Sequence, residues 1–133
     1  MRKKFIRIGS LAAMIAVILG AFAAHTLKQH LTPEHLDTFQ TGVRYQFYHA
    51  FAILVVGMLL YSRKTNLLHI SGWLFTIGIL FFSGSLYLLS VRETMNLALN
   101  WLGPITPVGG LFFIAGWVCL FISTFQDNQR GIK

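Results

Sequence analysis

Residues 68–89 read LHISGWLFTIGILFFSGSLYLL, an apolar stretch in which no side chain is acidic, lysine or arginine. About 20 such residues cross a hydrocarbon core about 30 Å thick, at the helical rise of about 1.5 Å per residue. Three further apolar stretches occupy residues 5–27, 45–61 and 108–125. Because a segment in lipid must satisfy its own backbone hydrogen bonds, these stretches predict helices rather than strands. The predicted fold is therefore all-α, a polytopic four-helix membrane bundle forming one domain over residues 1–133.

The composition supports a membrane protein independently of the apolar stretches. Of the 133 residues, 55% are hydrophobic and 11% are charged, whereas a soluble domain has about 25% charged residues. The formal charge of +7 would suggest nucleic acid in a soluble protein, but here the basic residues flank the apolar segments. In that position they act as topology signals and as contacts to lipid headgroups. We therefore expect membrane lipids as partners and no nucleic acid.

The distribution of basic residues predicts the orientation of the chain. One group lies at the amino end, in the short loop after the second stretch and in the carboxy-terminal tail: Arg2, Lys3, Lys4, Arg7, Arg63, Lys64, Arg130 and Lys133. The other two loops contain only Lys28, Arg44 and Arg92. Since cytoplasmic loops carry the excess of lysine and arginine, both termini are predicted to be cytoplasmic.

The amino-terminal stretch has two interpretations. A basic start, an apolar run and the sequence Ala21-Phe22-Ala23 are typical of a cleavable signal peptide. However, the run is longer than a usual signal core, and small residues recur in it at every fourth position. A stripe of this kind suits close packing against a neighbouring helix, so we favour an uncleaved first helix. The residues of the stripe are Ala12, Ala16, Gly20 and Ala24.

The first loop predicts a short amphipathic helix at about residues 33–43. Thr32 is a suitable N-cap, Pro33 suits the first helical position, and Glu34 adds an acid in the first turn. Apolar and polar residues then segregate at helical spacing, which favours a helix lying along the membrane surface or against the bundle. Gly42 is predicted to bend the chain before the second spanning helix.

Polar residues within or near the spans are the candidate functional residues, because they are costly in lipid. Gln46 and His49 are three residues apart and share a helix face, and His25 is expected at similar depth. Arg44 is expected to reach the headgroups or to pair with an acid of the first loop. The complete set of ligand-binding candidates is His25, Arg44, Gln46, His49, Ser83, Ser85, Tyr87 and Thr106.

Glycines near the polar residues are the candidates for close helix packing. Gly109 and Gly110 are expected to pack against the patch around Gly84. Just before Gly109 in the sequence, Thr106 is predicted to cap the fourth helix, with Pro107 at the first helical position. Gly72, Gly78 and Gly116 are further contact candidates to which the sequence assigns no partner.

Neither metal binding nor catalysis is indicated by the residue pattern. The five histidines match no zinc or haem spacing, so we expect no metal, no cofactor and neutral histidines bonded to Gln46 or to the serines. The four acidic residues lie outside the apolar stretches. Ser83 lacks the strand–turn–helix context of a hydrolase nucleophile. We expect no catalytic residue and no enzymatic activity, and a packing role for the single cysteine, Cys119.

Four motifs resemble those of the bacterial family called domain of unknown function 423, or UPF0382, which is related to the eukaryotic transmembrane protein 256 group. In chain order they are GAFAAH at 20–25, TGVRYQFYHA at 41–50, FSGSLY at 82–87 and LGPITPVGG at 102–110. The first motif has Ala23 where a glycine is usual. The resemblance implies an uncleaved first helix, four spans and a location in the cytoplasmic membrane. It implies no activity.

Three classes of function stay open from the sequence. We favour a non-enzymatic structural or accessory component of the membrane, because the chain is small and lacks catalytic groups. An oligomeric small-solute transporter or channel subunit is the second class, and binding of a lipid or quinone in a groove between the polar residues is the third. The small-residue stripe suits packing inside one bundle or between chains, and we favour internal packing because all four helices need neighbours. A homo-oligomer and a membrane-protein partner stay open. A ligand site predicts a cavity among the candidates, whereas a structural role predicts that they bond one another.

Overall fold

The protein, described over residues 2–126 by a computed structural model, consists mainly of four long helices. Helix α1 spans Arg2–His25, α2 spans Pro33–Ser62, α3 spans Asn66–Val91 and α4 spans Ile105–Ser123. Short 3₁₀ turns at Leu27–Gln29 and Asn100–Leu102 lie in the connections, and residues 2–126 contain no strand. Each of the four helical segments is long and apolar enough to cross a membrane, which confirms the predicted all-α, four-span architecture.

The helices run alternately up and down, which gives the bundle two distinct ends. At the end that we call the terminal end, the Arg2 guanidinium lies 4.5 Å from the ring centroid of Tyr61, and the Lys4 ammonium lies 4.5 Å from that of Trp73. The opposite end, here the loop end, contains the α1–α2 and α3–α4 connections. The side of the membrane on which each end lies stays a prediction.

The apolar core is divided between these two ends, and α2 lies at its centre. The larger cluster, toward the terminal end, is formed by Phe5, Ala52, Ile53, Val56, Leu60, Leu68, Phe75 and Phe113. The smaller cluster, at the loop end, is formed by Ala23, Leu27, Leu31 and Phe39. Helix α1 exposes most of its side chains, and α4 buries only Gly109, Phe113, Gly116 and Ser123. Lipid tails solvate the apolar side chains that remain outside as well as a protein core does.

Helix α2 differs from its prediction because it is continuous from Pro33 to Ser62. Its start is as predicted: the Thr32 hydroxyl accepts a hydrogen bond from the His35 amide at 3.3 Å. The predicted bend at Gly42 is wrong. This glycine is buried, and a Cβ there would lie 2.8 Å from the Tyr87 ring, so it permits close approach of α3. The predicted amphipathic helix at 33–43 is the first part of α2.

Helix α3 extends beyond the predicted 68–89 and contains a wider π-helical turn at Ile79–Ser83. The glycine predictions are corrected at this turn. A Cβ added to Gly109 would overlap the backbone of Phe81 and Phe82, so Gly109 contacts that backbone rather than Gly84. A Cβ added to Gly110 would lie 3.8 Å from the Phe82 ring, whereas a Cβ added to Gly84 would have no atom within 4 Å.

Helix α4 begins at Ile105, earlier than the predicted residue 108. The prediction that Thr106 caps this helix is wrong, because Pro104 is the residue that precedes the first turn and no side chain caps it. Pro107 is compatible with this start, since the first amides of a helix have no partner within it. The Thr106 hydroxyl instead lies 2.6 Å from that of Ser85 on α3.

The prediction that a stripe of small residues packs along one face of α1 is only partly correct. Ala16 is 1% exposed, whereas Ala24 is exposed and its neighbour Ala23 is fully buried. A four-residue repeat advances by about 40° at each step around a helix of 3.6 residues per turn, so it rotates away from a straight contact. The buried residues of α1 instead follow a nearly seven-residue repeat: Phe5, Gly9, Ala16 and Ala23.

Candidate functional site: a polar network inside the bundle

Gln46 connects three helices at the centre of the molecule. Its side chain is only 4% exposed. The amide nitrogen donates to the Ala12 carbonyl on α1 at 2.8 Å, and Oε1 accepts from the Tyr87 hydroxyl on α3 at 2.6 Å. A buried amide without partners would be costly in an apolar medium. Here both ends of the side chain are bonded to protein, and the three helices are fixed relative to one another.

Ser83 and Ser85 extend the network from the π-helical turn of α3 to two other helices. The Ser83 hydroxyl, which is fully buried, donates to the Gly42 carbonyl on α2 at 2.7 Å. Ser85 donates to the Phe82 carbonyl at 2.9 Å and pairs with Thr106 on α4. Ser83 therefore bonds α3 to α2, while Ser85 bonds α3 to α4.

His49 is held by hydrogen bonds on both ring nitrogens. Nδ1 lies 2.7 Å from the Tyr45 carbonyl, and Nε2 lies 3.1 Å from the indole nitrogen of Trp117. A carbonyl can only accept and an indole N–H can only donate, so the bonds assign the proton to Nδ1 and the neutral form to the ring. The Phe113 ring stacks on the imidazole with centroids 3.5 Å apart. The predicted bonds from a histidine to Gln46 or to the serines are absent at His49.

The sequence did not identify the contacts that join α3 to α4 nearer the terminal end. The Ser71 hydroxyl donates to the Gly116 carbonyl at 2.8 Å. A Cβ on Gly116 would lie 2.7 Å from the Phe75 ring, and one on Gly78 would overlap the Phe113 ring. Each helix thus packs an aromatic ring against a glycine of the other helix: Phe75 of α3 against Gly116, and Phe113 of α4 against Gly78. The only signal in the sequence was the presence of these glycines in apolar segments.

His25 and Arg44 do not join this network, contrary to the predicted convergence of His25 with Gln46 and His49. His25 is the last residue of α1 and is exposed. Arg44 is also exposed, where its guanidinium donates to Thr41 at 3.0 Å and lies 3.6 Å from the Asp37 carboxylate. The predicted pairing of Arg44 with an acid of the first loop is therefore present at the loop end. The network consists of Gln46, His49, Ser83, Ser85, Tyr87, Thr106 and Trp117.

A cavity lies beside the network rather than within it. It is a groove of about 410 Å³ between the second half of α3 and the start of α4. Of the ligand-binding candidates, only Ser85 lines it. Its lining residues are Leu80, Phe81, Gly84, Ser85, Leu88, Trp101, Leu102, Ile105 and Val108. Gln46 and Tyr87, which were predicted to line a groove with His49, bond each other directly, and His49 bonds Trp117.

Comparison with known proteins identifies the family. The model of the family described as "Protein of unknown function (DUF423)" matches residues 19–110. The chain belongs to this family. It is 41% identical over 124 residues to the UPF0382 membrane protein of Staphylococcus haemolyticus, with 93% of this chain and 97% of the relative covered. No solved structure matches the chain.

Two further bacteria have DUF423 relatives of the same kind. The UPF0382 membrane protein YwdK of Bacillus subtilis is 40% identical over 125 residues, which cover 93% of this chain and 98% of the relative. The UPF0382 membrane protein of Haemophilus influenzae is 41% identical over 130 residues, which cover 97% and 99%. The names of these relatives describe membrane proteins and state no activity. The predicted resemblance to the family is confirmed.

Most buried polar side chains of the described part of this DUF423 protein are hydrogen-bonded within the bundle, and the exception is the buried Nδ1 of His69 on α3, which has no partner. Within residues 2–126, no group of three or more histidine, cysteine, aspartate or glutamate side chains could hold a metal ion. The acidic side chains of this range, Glu34, Asp37 and Glu93, all lie at the loop end. Of the candidates for a ligand site, Gln46 bonds Tyr87 and Ser85 bonds Thr106 across the helices, while Ser83 and His49 bond other groups of the bundle.

Proposed function

We propose that this DUF423 protein is a non-enzymatic structural or accessory component of the bacterial cytoplasmic membrane. The supporting observation is the hydrogen bonding of Gln46, whose amide and carbonyl groups both bond to neighbouring helices at 2.8 and 2.6 Å. A binding or catalytic side chain needs a donor, an acceptor or a nucleophile directed at an open space. A side chain bonded at both ends to its own bundle stabilises one arrangement of helices.

A pathway for solutes receives little support from the same geometry. A transporter needs polar groups that line a continuous route, and intramembrane ionisable residues usually mark it. His49 is the ionisable residue of the network, and its two nitrogens bond Tyr45 and Trp117. Partners are therefore expected on the lipid-facing sides of α1 and α4, either a second copy or another membrane protein.

The basic residues support cytoplasmic termini. Within the described residues the terminal end carries Arg2, Lys3, Lys4, Arg7, Arg63 and Lys64. The loop end combines its few basic residues with three acids. We place the terminal end in the cytoplasm because cytoplasmic flanks carry the excess of lysine and arginine.

Complementation of a strain that lacks the protein tests the proposed role. Variants of Gln46 and His49 are expected to restore resistance to detergents and antibiotics in proportion to the amount of folded protein in the membrane. A variant that folds at parental levels and fails to complement would contradict a structural role. The lipid-facing variant Tyr48→Phe serves as the control, since this ring is 57% exposed.

Flux through reconstituted protein separates the accessory role from transport. Vesicles that contain the purified protein are expected to leak protons and small cations no faster than empty vesicles. A saturable flux that depends on His49 would overturn the proposal.

A further inference from the structure

The groove between α3 and α4 takes no part in the polar network. On α3 it is lined by Leu80, Gly84 and Leu88, which follow one another at four-residue intervals on one side of the helix. A Cβ added to Gly84 would have no atom within 4 Å. The glycine therefore leaves an open space along the helix, and Trp101 and Val108 form the opposite wall.

The lining restricts the chemical class of an occupant. Ser85 contributes its one side-chain hydroxyl, and this group is engaged with the Phe82 carbonyl and with Thr106. No other polar side chain apart from the indole of Trp101 lines the space. A sugar, a nucleotide or an amino acid would lose its hydration without gaining hydrogen bonds there. A hydrocarbon chain has no hydrogen bonds to lose on entering, so it is the chemical class that this lining accepts.

The side chain of Arg92 is the cation nearest along α3 to the end of the groove. Arg92 follows Leu88 by four residues, so it continues the same side of α3 past the end of the groove. Its Nη1 donates to the Asn100 side-chain oxygen at 3.2 Å, and Asn100 is followed by Trp101 of the opposite wall. A guanidinium has five N–H donors, and it binds phosphate in a forked geometry.

The surroundings of Arg92 are those of a lipid headgroup region. Trp101 is 63% exposed beside the groove, and tryptophan is enriched at the level of lipid headgroups. The neighbouring acid, Glu93, lies 3.8 Å from His35 on α2, so it has a partner on the helix that does not line the groove.

We propose that the groove binds one glycerophospholipid with an anionic headgroup, in the leaflet at the loop end. An acyl chain lies along Leu80, Gly84 and Leu88, and the phosphate bonds Arg92. This site adds a ligand to the protein and is independent of the proposed accessory role, because a lipid can bind whether or not the protein has a partner or a flux.

Native mass spectrometry of the delipidated protein in a nonionic detergent tests the site. The protein is titrated with phosphatidylglycerol, and one tightly retained lipid per chain is expected. Gly84→Leu fills the groove and should weaken retention roughly tenfold or more, because its side chain occupies the space of the acyl chain and a well-filled space resists extra methylenes. Ala24→Leu, an equivalent enlargement at an exposed residue of α1, should leave retention unchanged.

Two further variants keep the test decisive. Val108→Phe fills the groove from the opposite wall and should reproduce the loss even where Gly84→Leu folds poorly. Arg92→Gln should weaken phosphatidylglycerol and leave uncharged diacylglycerol with the same chains unaffected. Parental retention in both filled variants, or equal weakening of the two lipids by Arg92→Gln, would overturn the proposal. Retention of a quinone in place of the phospholipid would also overturn it.

Discussion

Replacing Gln46 with leucine measures what the polar network contributes to stability. The change removes the hydrogen bond to the Ala12 carbonyl and the acceptor of the Tyr87 hydroxyl. A hydrogen bond between membrane helices contributes about 0.6 kcal/mol on average and at most about 1.7 kcal/mol. A buried hydroxyl without an acceptor costs about 1–3 kcal/mol. We expect Gln46→Leu to lower the free energy of unfolding by about 2–3 kcal/mol.

A double-mutant cycle with Tyr87→Phe isolates the pair. The single change Tyr87→Phe is expected to cost about 1 kcal/mol. The double variant is expected to cost about 1 kcal/mol less than the sum of the two, because the orphaned hydroxyl is then absent. Reversible unfolding in mixed micelles with an increasing fraction of dodecyl sulfate measures all three, and Tyr48→Phe at a lipid-facing ring is the control. Costs that add to within about 0.3 kcal/mol would refute the coupling of Gln46 to Tyr87.

The remaining predictions concern packing, the histidine and topology. Gly109→Ala should lower the free energy of unfolding by about 1–3 kcal/mol, because its methyl group would meet the α3 backbone. Gly84→Ala, in open space, should be neutral or stabilising in the same unfolding assay; equal effects would contradict the assigned contacts. Trp117→Phe should cost about 1 kcal/mol and shift the ring-nitrogen NMR signals of the histidine that it bonds; unchanged signals would contradict that bond. Alkaline phosphatase fused after Glu93 should be active in the periplasm and, after Lys64, inactive; the reverse pattern would contradict cytoplasmic termini. The intact mass of the membrane-inserted protein should include α1.

The physical role of the network follows from its solvent. Apolar side chains gain little by leaving lipid for another helix, so burial alone does not select one arrangement of four apolar helices. Hydrogen bonds and close contacts are specific in direction and distance. Gln46, Ser83 and Ser71 bond particular carbonyls on particular neighbours, and this specificity distinguishes the observed bundle from other packings of the same helices.

The sequence was sufficient for the number and type of the spanning elements. Length and hydropathy are local properties, and a backbone in lipid has few alternatives to the helix. A stretch such as 68–89 can therefore be recognised as a spanning helix from its own residues. The start of α2 was also local, because Thr32 and Pro33 act on the amides and the dihedral angles of the first turn. The family was recognisable for a similar reason, since its motifs are short runs such as 82–87.

The tertiary structure alone decided what the polar and small residues do. From the sequence, Gly42 was predicted to bend the chain, whereas in the structure it makes room for the Tyr87 ring of another helix. Thr106 was predicted to cap a helix, whereas its hydroxyl is hydrogen-bonded to that of Ser85 on another helix. Spacing within one helix fixes which residues share a face, but it does not determine the neighbour that this face meets or the rotation of that neighbour. Gln46 therefore bonds Tyr87, Ser85 bonds Thr106, and the open groove lies at Gly84. The sequence did not show this because contacts across helices depend on distances that no single segment encodes.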